Sequence, residues 1–139
     1  MAIHINHPRE LADSCRERLM TCVEAGIPVL VQTVLLRGIN DKPEILAELV
    51  KNCQDLGLIP YYLFQMDLAP GTAHFRVPLK RGLAIYRELE KLVTGKELPV
   101  YAVDLPGGGG KIRLCEAVDA GHVYLLKDGN GKFWEYPKD

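Results

Sequence analysis

A chain of 139 residues, 47% hydrophobic and 25% charged, has the size and balance of one globular domain or of part of a larger one. Its formal charge of −1 supplies no electrostatic footprint for nucleic acid or an anionic membrane, so neither partner is expected. No apolar run reaches membrane-spanning length, and MAIHINHPRE lacks the basic start and apolar core of a signal peptide, which makes the cytoplasm the expected location.

The first strand is AIHIN, ending at Asn6 and His7 before a helix signal in which Pro8 takes a first-turn position. Leu11, Cys15, Leu19, Cys22 and Val23 recur at helical spacing until Gly26 and Pro28 stop the pattern. IPVLVQTVLL then reads as a strand buried on both faces, and Asp41 with Pro43 opens a second helix. Ile45, Leu46, Leu49, Val50, Cys53 and Leu56 form its apolar stripe, with Gly57 as the stop. IPYYLFQ is a third strand, followed by the turn-rich MDLAPG and by a helix carrying Leu79, Leu83, Tyr86, Leu89 and Val93 that ends near Gly95. PVYAV is the fourth strand, and HVYLL, KDGNGK and FWEY read as a terminal hairpin.

Between them lies VDLPGGGGK. Four consecutive glycines carry a high entropic cost and make sense where backbone turns tightly or approaches something closely. Lys111, at the far end of the tract, is an amine able to form a Schiff base with a carbonyl, and Asp104 on the near side faces the same space. A mobile surface loop with a solvated lysine, and an Asp104 that caps the following turn, are the structural alternatives. A nucleotide loop fits poorly, because Leu105 and Ile112 hold the places where a Walker motif needs a glycine and a hydroxyl. The cysteines at 15, 22, 53 and 115 are widely spaced with no CxxC grouping, so they read as structural thiols and no metal site is expected.

Strand and helix alternate three times before the fourth strand, which predicts an α/β fold with parallel strands and right-handed crossovers. Complete eight-fold barrels take about 250 residues, so the expected architecture is a partial barrel segment or a small open sheet. In either case the active face is where strand C-termini emerge, and Asn6, Gln32 with Arg37, Asp67, and Asp104 with Lys111 all fall at or near those ends. Two carboxylates that each follow an apolar strand suit a bound ammonium group.

HINHP (4–8), QTVLLRGIND (32–41), PYYLFQMDLAPGTAHFR (60–76) and VDLPGGGGK (103–111) together resemble the C-terminal part of the lysine 2,3-aminomutase family, which uses radical S-adenosylmethionine chemistry and pyridoxal phosphate. The resemblance runs in the family's order over nearly the whole chain up to the hairpin. It implies a partial (β/α) barrel with a pyridoxal-phosphate glycine loop over residues 1–114 and a C-terminal hairpin extension over 115–139. Lys111 is then the lysine that holds pyridoxal phosphate, with Gly107, Gly108, Gly109 and Gly110 letting backbone pass near it. Asp67 and Asp104 would receive the side-chain ammonium of L-lysine. Gln32, and with it His4 and Asn6, would lie against S-adenosylmethionine.

The implied activity is that of an isomerase that interconverts L-lysine and β-lysine by radical 1,2-amino migration, started by a [4Fe-4S] cluster. The cluster-binding CxxxCxxC motif belongs to the family's N-terminal half and is absent from this sequence. The chain is therefore expected to be inactive without that half or another subunit, and the full-length form is expected to be a homo-oligomer. Lys42 stands where some relatives place a zinc-ligating cysteine, and 136–139 carry none, so zinc is not expected. Three other readings stay open: a related aminomutase, an enzyme that β-lysylates elongation factor P, and a non-catalytic assembly module. The unbroken GGGGK argues against the elongation-factor enzymes, and a pair of acids would repel a glutamate side chain.

Overall fold

A computed structural model describes residues 1–93 and 98–138. In chain order it contains β1 (Ala2–His4), a 3₁₀ turn (Pro8–Glu10), α1 (Asp13–Glu24), β2 (Leu30–Leu35), α2 (Pro43–Asp55), β3 (Ile59–Gln65), a second 3₁₀ turn (Ala73–Phe75) and α3 (Leu79–Leu92). β4 (Val100–Leu105), β5 (Gly110–Arg113), β6 (Val118–Asp119), β7 (Val123–Lys127) and β8 (Phe133–Pro137) complete it, with short 3₁₀ turns on either side of β5. β1 to β4 lie in chain order and run parallel, and β5 adds to β4 antiparallel. β6 to β8 form a separate antiparallel sheet that contains the predicted hairpin as β7 and β8. The α/β alternation read from the sequence is present, since each parallel step is bridged by a helix.

Helices cover one face of the parallel sheet. Val31, Leu49 and Cys53 share a cluster with Leu19 of α1, while Leu35, Leu63, Tyr101 and Val103 pack with Leu46 and Val50 of α2 and Leu79 and Leu89 of α3. Residues of the opposite parity, including Gln32, Val34 and Phe64, are only half-buried. This corrects the expectation that the second strand is buried on both faces. A run rich in Val and Leu cannot reveal which face lacks a covering layer.

Three local expectations also shift. The first helix was expected at Pro8, but Pro8 opens only a 3₁₀ turn, capped by His7 Nδ1 accepting from the Arg9 amide at 3.1 Å, and α1 starts at Asp13. The glycine tract, expected as a tight turn or close approach after the fourth strand, is the turn of a β4–β5 hairpin, and its second strand is the unexpected part. The ending of helix three near Gly95 lies outside the described residues.

One core joins the two sheets, because Tyr124, Leu126 and Tyr136 are buried with Leu63, Tyr101 and Leu114. Gly82 of α3 sits where a Cβ would run into the Tyr101 hydroxyl and Leu35. Gly82→Ala is therefore expected to destabilise the fold by about 1–3 kcal/mol despite its better helix propensity, and denaturant unfolding reads the change. A gain in stability would mean that α3 does not pack this closely.

Burial pushes the Cys53 thiol from 9.0 to about 12, whereas Cys115 is exposed. Iodoacetamide at neutral pH is expected to label Cys115 promptly and Cys53 only on unfolding, because the thiolate is the nucleophile. The raised value also sets a sign. Between pH about 9 and about 12 the unfolded thiol ionises while the folded one keeps its proton, so this contribution to stability is lost as pH rises. Cys53→Ala is expected to flatten that part of the profile.

Candidate active site

The C-terminal ends of β1 to β4, with β5, build the site. His4, at the end of β1, and Gln32, in the middle of β2, are direct register partners. Gln65 closes β3, and Asp67 follows it on a loop whose two ends are tied together by Gln65 Nε2 donating to the Val77 carbonyl at 2.7 Å. Tyr101 donates its hydroxyl hydrogen to Gln65 Oε1 at 2.5 Å, so the base of this loop is a buried polar clamp.

Asp104 and Lys111 stand directly opposite each other across the β4–β5 ladder. Their side chains meet at 3.7 Å from Nζ to Oδ2, with 46% of the Lys111 and 50% of the Asp104 side chain exposed. A pair this open is worth no more than about 1 kcal/mol, so it leaves the amine free to engage a ligand. The Lys111 Nζ also lies 6.0 Å from the centre of the Phe64 ring.

His4, Gln32, Asp67, Asp104 and Lys111 line one cavity of about 390 Å³, with Phe64, Gln65 and Thr72 among its other walls. A second cavity of about 340 Å³ shares Asp67, Ala69 and Asp104 with the first and is bounded by Leu105, Pro106 and Tyr136. Two carboxylates and one primary amine thus converge on adjoining hollows at one sheet end. The arrangement can hold a cation between the acids and present an amine to a carbonyl.

Two sets of sequence-predicted residues do not line these cavities. Asn6 works behind the wall: its Oδ1 accepts from the Val34 amide at 2.8 Å and its carbonyl accepts from Asn40 Nδ2 at 2.7 Å, fastening the end of β1 to β2. The glycines make the hairpin turn. Gly107, Gly108 and Gly110 have φ of 75°, 89° and 69°, a region that strains any residue with a Cβ. At Gly109 a Cβ would meet the Leu105 Cβ at 2.8 Å and the Trp134 ring at 3.2 Å, so the close approach expected of the tract is made to this chain's own side chains.

Phe64, Gln65, Thr72 and Tyr136 were not singled out from the sequence. Phe64 was within reach of period-two counting along β3, two positions after Tyr62 on the same face. Tyr136 had no local signal, because its place depends on how the second sheet packs. Among the described residues no three His, Cys, Asp or Glu side chains gather into a group able to hold a metal ion. No helix among them is long and apolar enough to cross a membrane.

A parallel α/β sheet with polar side chains converging on hollows at its strand C-termini puts the chain in the α/β class, with its candidate site at the sheet end where that class binds ligands. No family model matches the chain. A Treponema pallidum protein provisionally named L-lysine 2,3-aminomutase is 56% identical over 111 residues, covering 80% of this chain and 31% of that protein. The L-lysine 2,3-aminomutase of Fusobacterium nucleatum is 41% identical over 108 residues, covering 78% and 25%. The glutamate 2,3-aminomutase of Clostridioides difficile is 36% identical over 132 residues, covering 93% and 31%. By sequence the chain belongs to the lysine 2,3-aminomutase family, consistent with a C-terminal part of it. It spans a quarter to a third of the length of these relatives.

Proposed function

We propose that the chain is the C-terminal portion of a lysine 2,3-aminomutase, an isomerase interconverting L-lysine and β-lysine. Residues 1–114 would form the C-terminal half of a partial (β/α) barrel, and 115–139 an extension packed on it. The observation that carries this reading is the convergence of Lys111, Asp104, Asp67, Gln32 and His4 on one cavity. The half-buried face of Gln32, Val34 and Phe64, and β1 at the sheet's edge, fit an inner wall that the rest of a larger enzyme would close.

Pyridoxal phosphate fits the amine. Lys111 is half-exposed on the cavity wall and held only by a long ion pair, so it would hold the cofactor. Bound there, the cofactor would supply a carbonyl that takes up an amine and a conjugated system over which nitrogen moves between neighbouring carbons. The Gly107–Gly110 turn sets where Lys111 emerges from the hairpin.

Gln32 and His4, side by side on the wall, would contact S-adenosylmethionine, with Asn6 holding their strands in register. Asp67 and Asp104 would bind the substrate's side-chain ammonium and orient the chain of the amino acid toward Lys111. A side-chain carboxylate would instead be repelled by both acids, which favours lysine over glutamate. A [4Fe-4S] cluster does not fit, since no set of donors gathers for it among the described residues. Its ligands, and the chemistry that starts the reaction, belong elsewhere in the enzyme.

The test is to co-purify this chain with the N-terminal portion of the Fusobacterium nucleatum relative and assay both amino acids anaerobically. The pair is expected to convert L-lysine to β-lysine, with neither part active alone. Conversion of glutamate instead would reassign the substrate, and a stable pair that converts neither would sink the reading in favour of a non-catalytic module.

A further inference from the structure

β8 belongs to a sheet that shares no strand pairing with the parallel one, yet its Tyr136 is 2% exposed and bounds the cavity containing Asp67 and Asp104. Its hydroxyl and the Arg76 Nε are the two buried side-chain polar atoms with no hydrogen-bond partner among the described residues. They are neighbours, with the Arg76 guanidinium carbon 5.9 Å from the centre of the Tyr136 ring.

An unmet buried hydroxyl costs about 1–3 kcal/mol, and phenylalanine would fill the same space without that cost. Two such groups side by side therefore call for an explanation beyond packing. Burial pushes the Tyr136 phenol up, and Tyr136 lines the same cavity wall as Asp67 while the Arg76 guanidinium lies over its ring. Arg76 also closes the loop on which Asp67 stands, one residue before the Val77 carbonyl that Gln65 clamps.

A hydroxyl has one hydrogen to donate and two lone pairs. A single small shift could let it accept from the Arg76 Nε–H and donate to the Asp67 carboxylate, which would satisfy both orphaned atoms at once. We propose that Tyr136 is a positioning residue that orients the Asp67 carboxylate for a cationic ligand through a guanidinium–phenol–carboxylate chain, making the C-terminal sheet part of the binding site. This rests on the reading of Asp67 and Asp104 as the ammonium site.

The test uses the reconstituted pair, with this chain carrying ¹³C at aspartate Cγ and tyrosine Cζ, titrated with L-lysine in the absence of S-adenosylmethionine and followed by NMR. The wild-type Asp67, Asp104 and Tyr136 signals are expected to move along one saturation curve. Tyr136→Phe is expected to weaken L-lysine binding about five- to tenfold, less than the loss of a direct hydrogen bond to a charged group because Tyr136 acts through Asp67. Its thermal midpoint should be unchanged or higher, since only an unpartnered hydroxyl is lost.

Arg76→Gln should give a similar loss, and the double variant no more than either alone, as for residues acting in one chain. A merely structural role would lower the midpoint and leave affinity unchanged. Unaltered L-lysine affinity in Tyr136→Phe, or an immobile Tyr136 signal while both aspartates respond, would overturn the proposal and leave the ammonium site standing. No response at either aspartate in the wild type would overturn both.

Discussion

Lys111→Ala in the reconstituted enzyme is expected to abolish both the visible absorbance of loaded pyridoxal phosphate and the conversion of lysine. The loss should exceed about 10³-fold, as when a member of a catalytic unit is removed. The expectation comes from the position of this amine. It is opposite Asp104 in the β4–β5 ladder, on the wall of the larger cavity, and half of its surface is open. Arg113, two residues on along the same strand, is not among that cavity's walls, so a basic residue elsewhere in the hairpin could not substitute. The hairpin should survive, because the exposed ion pair adds little to stability. Circular dichroism of the variant therefore separates loss of chemistry from loss of fold. Retained absorbance would move the covalent attachment to another lysine.

The second large effect is expected at the acids. Asp67→Asn and Asp104→Asn each leave a polar side chain of the same shape but remove one charge facing the ammonium. Charge-assisted hydrogen bonds are worth about 1.5–3 kcal/mol, so each variant should lose roughly tenfold or more in kcat/KM for L-lysine. Cofactor absorbance should be nearly unchanged, since neither acid holds the cofactor in the proposed arrangement. Equal loss of loading and turnover would show that the acids support the cofactor and not the substrate. The double variant is expected to lose discrimination against glutamate, because the repulsion that excludes a side-chain carboxylate is then gone.

Much of this geometry was legible in the letters. The parallel order of β1 to β4 followed from strand and helix alternation, and the acids at 67 and 104 were placed over the sheet's end because each follows an apolar strand. What could not be read was long-range. The covered and open faces of β2 have the same Val and Leu composition, and only the packing of α1 to α3 distinguishes them. The glycine tract announced a tight turn, but its use as a hairpin depends on the alternation in GKIR, too short to register: β5 is only four residues, Gly110–Arg113. Asn6 was placed correctly at a strand end, yet its side chain is spent on the Val34 amide, a choice set by the neighbouring strand. Tyr136, 32 residues further along the chain than Asp104, joins the site through the second sheet, beyond any local pattern.

The most direct measurement is to treat the pyridoxal-phosphate-loaded, reconstituted enzyme with borohydride and map the reduced adduct by peptide mass spectrometry. A pyridoxyl mass on the peptide containing Lys111 is the expected result. An adduct on a lysine outside this chain, with Lys111 unmodified, would contradict it.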